Sequence, residues 1–456
     1  MSENVLDTYR FVFALGDALI RSGASSATTT KALLAVSSKA GLENVTVSVT
    51  LGQLVVSDET RAGSADRDGD GGQVRTRIHE VEPGALDINW RVMAEEIIED
   101  YLMGDLSLTA AKKALDREVD ERPSRHWWRV TVGYGVLGAG FGLVLGGAPL
   151  TALGGAVTSL VISVIFRCLG GLGAPGIYSQ AAGGFVAVLA SAGINTALGL
   201  NEPTICIVAA IAARLAGIAA YGAVQDAITG WYLAAAGRLM EVATNTAGLV
   251  AGVAAGIATV DAVWAPAFEL VQTVEPDTRH WMPSLIGAAL VSGGFALSSG
   301  ASRLRLAALA GFGTSVQLMN LAVASTGADS FLTISLTAMT TGAACVLVAR
   351  PLNLSSNAIM MVSLLPLFPG MLVYQGLLGT LTGLEDSGAI LLEAMVTAFC
   401  LSVAGVLGQY IVSELLWAAR GRQFSRENPG ETFSKVRPGE YSSRDITVPV
   451  FNRPFS

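Results

Sequence analysis

The stretch Arg214-Leu-Ala-Gly-Ile-Ala-Ala-Tyr-Gly-Ala-Val-Gln-Asp-Ala-Ile-Thr-Gly230 decides the fold of this chain. It lies in a long apolar region, yet it contains an arginine, a glutamine, an aspartate and three glycines. Ionisable side chains at membrane depth are costly and usually face a bundle interior or a water-filled cavity. Glycines there permit close helix packing or a break in the helix. The stretch therefore predicts a broken membrane helix beside a functional cavity.

A second stretch, Pro369-Gly-Met-Leu-Val-Tyr-Gln-Gly-Leu-Leu-Gly-Thr-Leu-Thr-Gly383, repeats the first at an offset of about 153 residues. Gly217 then falls on Gly370 and Tyr221 on Tyr374. Two matching apolar segments interrupted by Gly or Pro are the best sequence indication of a transporter's binding site. The pair therefore predicts a secondary transporter built from two related modules.

The composition divides the 456 residues into a charged part and an apolar part. Only 14% of the residues are charged, against roughly 25% in soluble proteins, and residues 130 to about 419 contain no lysine. A soluble domain followed by a polytopic membrane domain is expected. The net charge of −8 argues against a nucleic-acid partner. The N-terminus lacks the basic and apolar regions of a cleaved signal peptide.

The N-terminal residues 1–125 are predicted to form an α/β domain. Helical or alternating apolar spacing places the elements as follows: helices 5–22, 26–40, 88–102 and 108–119, strands 44–50, 53–57 and 74–81, and a solvated loop over 62–72.

The apolar part is predicted to cross the membrane about ten times, as a polytopic α-helical protein with an inverted 5+5 repeat. The expected spans are 130–148, 150–166, 177–198, 204–224, 239–261, 283–300, 306–328, 330–349, 355–378 and 388–418. They give a first module over 126–265, a second over 266–420 and a polar tail over 421–456. Arginines concentrate in the even-numbered connections, which places both termini in the cytoplasm, and the fourth and ninth spans then run in opposite directions.

Several local motifs resemble the threonine/serine exporter family over nearly the whole chain. They are Gly16-Asp-Ala-Leu-Ile-Arg-Ser-Gly-Ala-Ser-Ser, Gly104-Asp-Leu-Ser-Leu-Thr-Ala-Ala111, Asp226-Ala-Ile-Thr-Gly230 with Arg238, and Leu364-Leu-Pro-Leu-Phe-Pro-Gly370. The resemblance implies export of threonine and serine across the plasma (inner) membrane, driven by proton motive force. Unlike the family pattern, this chain has Ala216-Gly217 in place of Pro-Gly, and Arg214 in place of an apolar residue.

Asp226 is the strongest candidate for a proton carrier, because burial near a span end favours uptake of a proton. The alternative is a structural charge paired with Arg238. Arg214 is expected either to bind a substrate carboxylate with two parallel hydrogen bonds or to neutralise Asp226. Glu393 is a second proton-relay candidate. The whole predicted substrate and proton pathway is Arg214, Gly217, Tyr221, Gln225, Asp226, Gly230, Arg238, Glu241, Asn245, Pro369, Gly370, Tyr374, Gln375 and Glu393.

No cofactor or metal is predicted. The chain lacks a P-loop and a His cluster, and its four cysteines stand singly in apolar runs, as small apolar side chains do. The expected partners are a small amino acid, protons and the lipid bilayer, and the oligomeric state, a homo-oligomer included, stays open. Two alternatives to a transporter remain at this point: a membrane-anchored hydrolase using Ser22, Ser25 or Ser26, and a membrane sensor that transports nothing.

Overall fold

The computed structural model describes residues 3–427 except 43, 51, 61–72, 82–83, 85, 122–126, 213, 215–216, 264–280 and 383–385. The predicted loop over 62–72 and most of the predicted C-terminal tail lie outside the described residues.

The N-terminal part combines four helices with a three-stranded sheet. Its elements are α1 (Glu3–Arg21), α2 (Ser26–Lys39), β1 (Thr46–Val49), β2 (Gln53–Thr60), β3 (Gln73–Glu80), α3 (Ile88–Met103) and α4 (Leu108–Glu121). The sheet is antiparallel in the order β1-β2-β3, with Val47 opposite Val56 and Val56 opposite Arg77. Alternating strand residues such as Val47 and Val49 are buried against the helices, because side chains of a strand point to opposite faces in turn.

The remaining described residues form long apolar helices. They are α5 (Trp127–Val144), α6 (Pro149–Gly171), α7 (Gly176–Leu198), α8 (Pro203–Ile211), α9 (Gly217–Ile228), α10 (Tyr232–Val263), α11 (Trp281–Ser298), α12 (Arg303–Ala324), α13 (Ser330–Leu352), α14 (Ser356–Ser363), a 3-10 turn (Leu365–Leu367), α15 (Gly370–Thr382) and α16 (Ser387–Glu427). The last helix continues seven residues past the predicted end of the second module at 420.

Among the described residues, seven helices are long and apolar enough to cross a membrane. The count rises to eight if Ser356–Ser363 and Leu365–Thr380, which meet at 41°, form one bent span. Two of the ten predicted spans, 130–148 and 204–224, are not in this set. The first falls on α5, in which five glycines replace larger apolar side chains, and the second falls on the short helices α8 and α9.

The two halves of this helical region repeat each other element by element. Paired helices begin 153 to 155 residues apart, at 127 and 281, 149 and 303, 176 and 330, 203 and 356, 217 and 370, and 232 and 387. The fourth helix is interrupted in both halves, after Ile211 and after Ser363. The second parts, α9 and α15, begin at the two glycines that the sequence comparison matched.

The first helices of the two halves, α5 and α11, cross at glycines. A Cβ at Gly133 would lie 2.7 Å from the carbonyl oxygen of Gly294, and one at Gly140 would lie 2.7 Å from that of Gly287. The backbones can approach this closely only because these positions have no side chain. Residue numbers rise along one helix as they fall along the other, so α5 and α11 are antiparallel.

The third and fifth helices of the first half, α7 and α10, also cross at glycines, but they run parallel. Gly248 lies against Ile177, Gly252 against the carbonyl of Ala181, and Gly256 against Val188, so residue numbers rise together. The chain must therefore return along the length of α7 between these two helices, and the segment that does so contains α8 and α9.

The N-terminal part packs against one end of the helical region. Ile88 N donates to Ser299 O at 2.7 Å, and Asn353 Nδ2 donates to Glu96 Oε1 at 2.8 Å. Ser26 at the start of α2 contacts Asp226 at the end of α9. The connections after α9, α11 and α13 therefore lie on the same side.

Candidate functional site

The break between α8 and α9 places Arg214 among aromatic side chains. The backbone N–H of Arg214 donates to Ile211 O at 2.8 Å, which continues the end of α8 by one turn. The guanidinium carbon lies 4.2 Å from the ring centre of Tyr134 in α5 and 4.0 Å from that of Phe166 in α6. A guanidinium this close to two ring faces is stabilised by cation–π attraction.

The Arg214 guanidinium has unused hydrogen-bonding capacity. Its Nε and Nη2 atoms are buried and have no hydrogen-bond acceptor among the described residues. The alternative that Arg214 neutralises Asp226 is wrong, because the ion-pair partner of Asp226 is Arg238. Unsatisfied buried donors are costly, about 1–3 kcal/mol each, so this arrangement needs a reason.

Asp226 lies fully buried in the last turn of α9, where several donors hold its carboxylate. Arg238 Nε in α10 donates to Asp226 Oδ2 at 2.9 Å. The N–H of Ser26 donates to Oδ1 at 3.2 Å, and its hydroxyl donates to Oδ2 at 3.4 Å. Arg238 also donates to Ala24 O at 3.3 Å. The paired structural charge described as the alternative for Asp226 is thus present, and it joins α9 to the N-terminal part.

Gly230 ends α9 in the left-handed region, at φ 87°. The Trp231 N–H turns back to Asp226 O at 2.8 Å. This turn needs a glycine because residues with a side chain rarely adopt such a φ. It directs the backbone into α10, in which Arg238 reaches Asp226.

Two pairs of buried polar groups follow the two breaks. The hydroxyls of Tyr221 in α9 and Tyr374 in α15 occupy matching positions, and both are buried without a partner among the described residues. Gln225 Oε1 and Gln375 Nε2 are also buried without a hydrogen-bond partner among the described residues. Tyr374 shares a small apolar cavity with Ile211, the last residue of α8. The first break and the second module are therefore neighbours.

The second break depends on proline more than on glycine. Pro369 lies just before α15, and its carbonyl accepts the N–H of Val373 at 3.0 Å, so it begins the helix. Pro366 in the 3-10 turn lacks the N–H that would continue the ladder from α14, and Pro369 likewise cannot donate a backbone hydrogen bond across the break. Gly370 follows as the first residue of α15 and does not have a positive φ.

The remaining predicted residues are dispersed. Glu241 in α10 and Glu393 in α16 are exposed. Asn245 is half-buried with its Oδ1 beside the first residue of α7, Gly176. Among the described residues, the polar side chains of the predicted pathway that lie within the protein are therefore those near the two breaks, together with Arg238.

Sequence reasoning missed Tyr134, Phe166 and Ser26. The two aromatic residues lie in ordinary apolar spans, and a stacking partner for Arg214 could be recognised only from its position in space. Ser26 stood in a quoted motif, but its contact with Asp226 joins residues 200 positions apart.

The three serines of the hydrolase alternative have structural partners. The Ser22 hydroxyl donates to Leu19 O at 2.8 Å, and Ser25 caps α2 by accepting the N–H of Thr28. Ser26 binds Asp226. Among the described residues there is also no group of three His, Cys, Asp or Glu side chains placed to hold a metal ion.

Comparison with known proteins assigns the chain to a family. The threonine/serine exporter family model matches residues 10–260 and 267–414. The chain belongs to this family. A threonine/serine exporter of Corynebacterium glutamicum is 29% identical over 434 residues, covering 92% of this chain and 84% of that protein. A protein of Mycobacterium tuberculosis named probable threonine/serine exporter is 27% identical over 367 residues, covering 78% and 68%. No solved structure matches the chain.

Membership in the threonine/serine exporter family confirms two predictions. The chain is a multi-pass membrane protein, and because the family consists of transporters, the hydrolase alternative is wrong.

Proposed function

We propose that the chain exports threonine and serine across the plasma membrane as a secondary transporter driven by proton motive force. The observation that carries the proposal is the interruption of the fourth helix at matching places in both halves, after Ile211 and after Ser363. Such paired breaks free backbone groups for substrate binding near the middle of the bilayer. The substrate itself follows from the names of the relatives.

Ten membrane passages are the count that the helix directions favour. Because α7 and α10 run parallel, α8 and α9 together have to return the chain across, as one broken passage. The matching elements α14 and α15 then do the same in the second half. Each half contributes five passages, and α5 counts as a passage although it is glycine-rich.

An inverted relation between the halves follows from an odd number of passages. The contact of α5 with α11 supports it directly. Gly133 matches Gly287 in the repeat, and Gly140 matches Gly294, yet Gly133 packs on Gly294 and Gly140 on Gly287. Two equivalent helices that exchange contacts in this way while running antiparallel are related by a two-fold axis perpendicular to them. In a membrane that axis lies in the bilayer plane.

The N-terminal part indicates which side is cytoplasmic. It touches the connections after α9, α11 and α13, near Arg238, Arg303 and Arg350. Cytoplasmic loops carry the excess of arginine, so we place this side, and both chain termini, in the cytoplasm.

Asp226 is our candidate for the coupling carboxylate. Of the three acidic residues in the predicted pathway, it is the enclosed one, whereas Glu241 and Glu393 are exposed. A carboxylate held by an arginine and by the N–H and hydroxyl of a serine can release these donors when it takes up a proton, which would link proton movement to movement of α9.

The test is Asp226→Asn in proteoliposomes loaded with labelled threonine. Asparagine keeps the shape but cannot titrate, so export driven by a pH gradient should fall at least about 100-fold, within the range that loss of a proton-transferring group causes. Exchange of internal for external threonine should continue, because exchange moves no net proton.

Asp261→Asn is the matched control. It changes an exposed carboxylate at the C-terminal end of α10, away from Arg238, and this variant should export normally. Wild-type rates from Asp226→Asn would remove Asp226 from the coupling mechanism and turn attention to Glu393. Absence of threonine movement in the wild-type protein would overturn the proposed function itself.

A further inference from the structure

The two unpartnered nitrogens of Arg214, Nε and Nη2, form one edge of the guanidinium. Their N–H groups point in the same direction and are spaced to match the two oxygens of a carboxylate. Both donors that a bidentate bond to a carboxylate requires are therefore present on this edge, and none of the described residues accepts a hydrogen bond from them.

The surroundings of Arg214 restrict how a ligand can approach this edge. Tyr134 and Phe166 lie 4.2 and 4.0 Å from the guanidinium carbon, measured to their ring centres. A group that bonds to Nε and Nη2 must approach in the plane of the guanidinium, past the rings. A planar carboxylate meets that condition, and the rings also shield the bond from water, which strengthens it.

The arrangement is not explained by structure alone. A buried guanidinium with two unsatisfied donors destabilises the ligand-free protein, and none of the described acidic side chains forms an ion pair with Arg214. A ligand carboxylate would remove that penalty on binding. Arg214 also lies at the break that carries the proposed function, three residues before α9 begins.

We propose that the Nε–Nη2 edge of Arg214 binds the α-carboxylate of the exported amino acid, with Tyr134 and Phe166 as the walls of this subsite. The proposal rests on the proposed function and names its substrate class by chemistry: a small molecule with a free carboxylate. Analogues that keep the ammonium and hydroxyl groups but lack the carboxylate should be poor ligands.

The experiment compares L-threonine with threoninol, which has a CH₂OH group in place of the carboxylate, as competitors for labelled threonine binding to purified protein in nanodiscs. Wild-type protein should prefer threonine by at least about 30-fold, the range expected for a buried charge pair. Arg214→Met should abolish that preference. Arg214→Lys should retain only part of it, because lysine keeps the charge but not the two parallel donors.

A stability measurement separates binding from a merely structural role. Without ligand, Arg214→Met should melt at or above the wild-type temperature, because it removes unsatisfied donors. Arg167→Lys is the matched control, since Arg167 also stacks on an aromatic ring, Trp127, but on the exposed surface, and it should keep the preference for threonine.

Two outcomes would overturn the proposal: an unchanged preference for threonine in Arg214→Met, or a loss of preference that accompanies a lowered melting temperature in both Arg214→Met and Arg214→Lys. If wild-type protein binds no threonine, the proposed function fails first. Acetate and succinate then serve as probes of the subsite alone. If neither raises the melting temperature of the wild-type protein more than that of Arg214→Met, the proposed subsite is wrong as well.

Discussion

Arg91 is a buried arginine and Arg214 a half-buried one with two buried nitrogens, and their surroundings differ. Arg91 in α3 donates through Nε to Glu95 Oε1 at 3.0 Å, one helical turn further on, although its Nη2 has no acceptor among the described residues. Arg214 has two aromatic rings and no carboxylate. A paired buried charge serves the fold, whereas an unpaired one in a transporter points to a ligand.

Arg91→Met should therefore destabilise the protein, by about 3 kcal/mol, because it leaves the Glu95 carboxylate buried without its partner. The double change Arg91→Met/Glu95→Leu should recover most of that loss, since an apolar pair of similar volume replaces the ions. Chemical unfolding of the purified full chain measures both values. Equal stability of the single variant and the wild-type protein would contradict the prediction.

The pH dependence gives the same pair a second test. Burial raises the pKa of Glu95 above its ordinary value of 4.5, and the Arg91 charge opposes the rise. The stability associated with a raised carboxyl pKa is fully present below the unfolded pKa and is lost as the pH rises through the folded pKa. In Arg91→Met the opposing charge is gone, so the deficit should be small near pH 4.5 and should grow toward neutral pH.

At the scale of elements, the start of α2 is a connection between the N-terminal part and the broken helix. Ser26 is the first residue of α2, and both its N–H and its hydroxyl bind Asp226. Proline is well tolerated at the first helical position, and Ser25, at φ −72° and ψ 155°, already has a backbone that suits a following proline.

Ser26→Pro should consequently break the contact without damaging α2. It removes both donors, so the end of α9 and the start of α10 should exchange amide hydrogens faster, with a local loss of about 1–3 kcal/mol. Ser26→Ala keeps the N–H and should show a smaller effect. Mass spectrometry of hydrogen exchange over residues 217–240 provides the measurement. If the two variants exchange alike, other contacts hold the N-terminal part in place.

For the whole molecule, the decisive question is whether α8 and α9 together cross the membrane. In a protein without its native cysteines, a cysteine at Asn201, before α8, should react with an impermeant thiol reagent added outside intact cells. A cysteine at Thr229, after α9, should react only after the membrane is opened. Both positions are exposed and lie at opposite ends of the broken helix.

In the second half, Ser302 and Thr326 flank the unbroken helix α12, and both are exposed. A cysteine at Thr326 should react from outside and one at Ser302 only after the membrane is opened. Labelling of Asn201 and Thr229 from the same side would show that α8 and α9 enter and leave on one face. The first half would then have four passages, and the halves would not be inverted.

The sequence by itself determined the elements and their repetition. Apolar spacing placed the N-terminal helices and two of the strands within about two residues of their bounds, because period 2 and period 3.6 are local properties of the chain. The offset of 153 residues and the two breaks were also readable, since Gly and Pro act on the backbone where they stand. The family could be named from short motifs.

Only the tertiary structure decided which residues share a site. The aromatic rings beside Arg214 come from α5 and α6, and the donors to Asp226 come from α2 and α10. These partners are distant in sequence, and nothing in local spacing distinguishes Phe166 from any other apolar residue of its helix. Burial and pairing are set by how helices pack. The exposure of Glu393, and the choice between the two sequence-based interpretations of Asp226 that its pairing with Arg238 bears on, could therefore be read only from the fold.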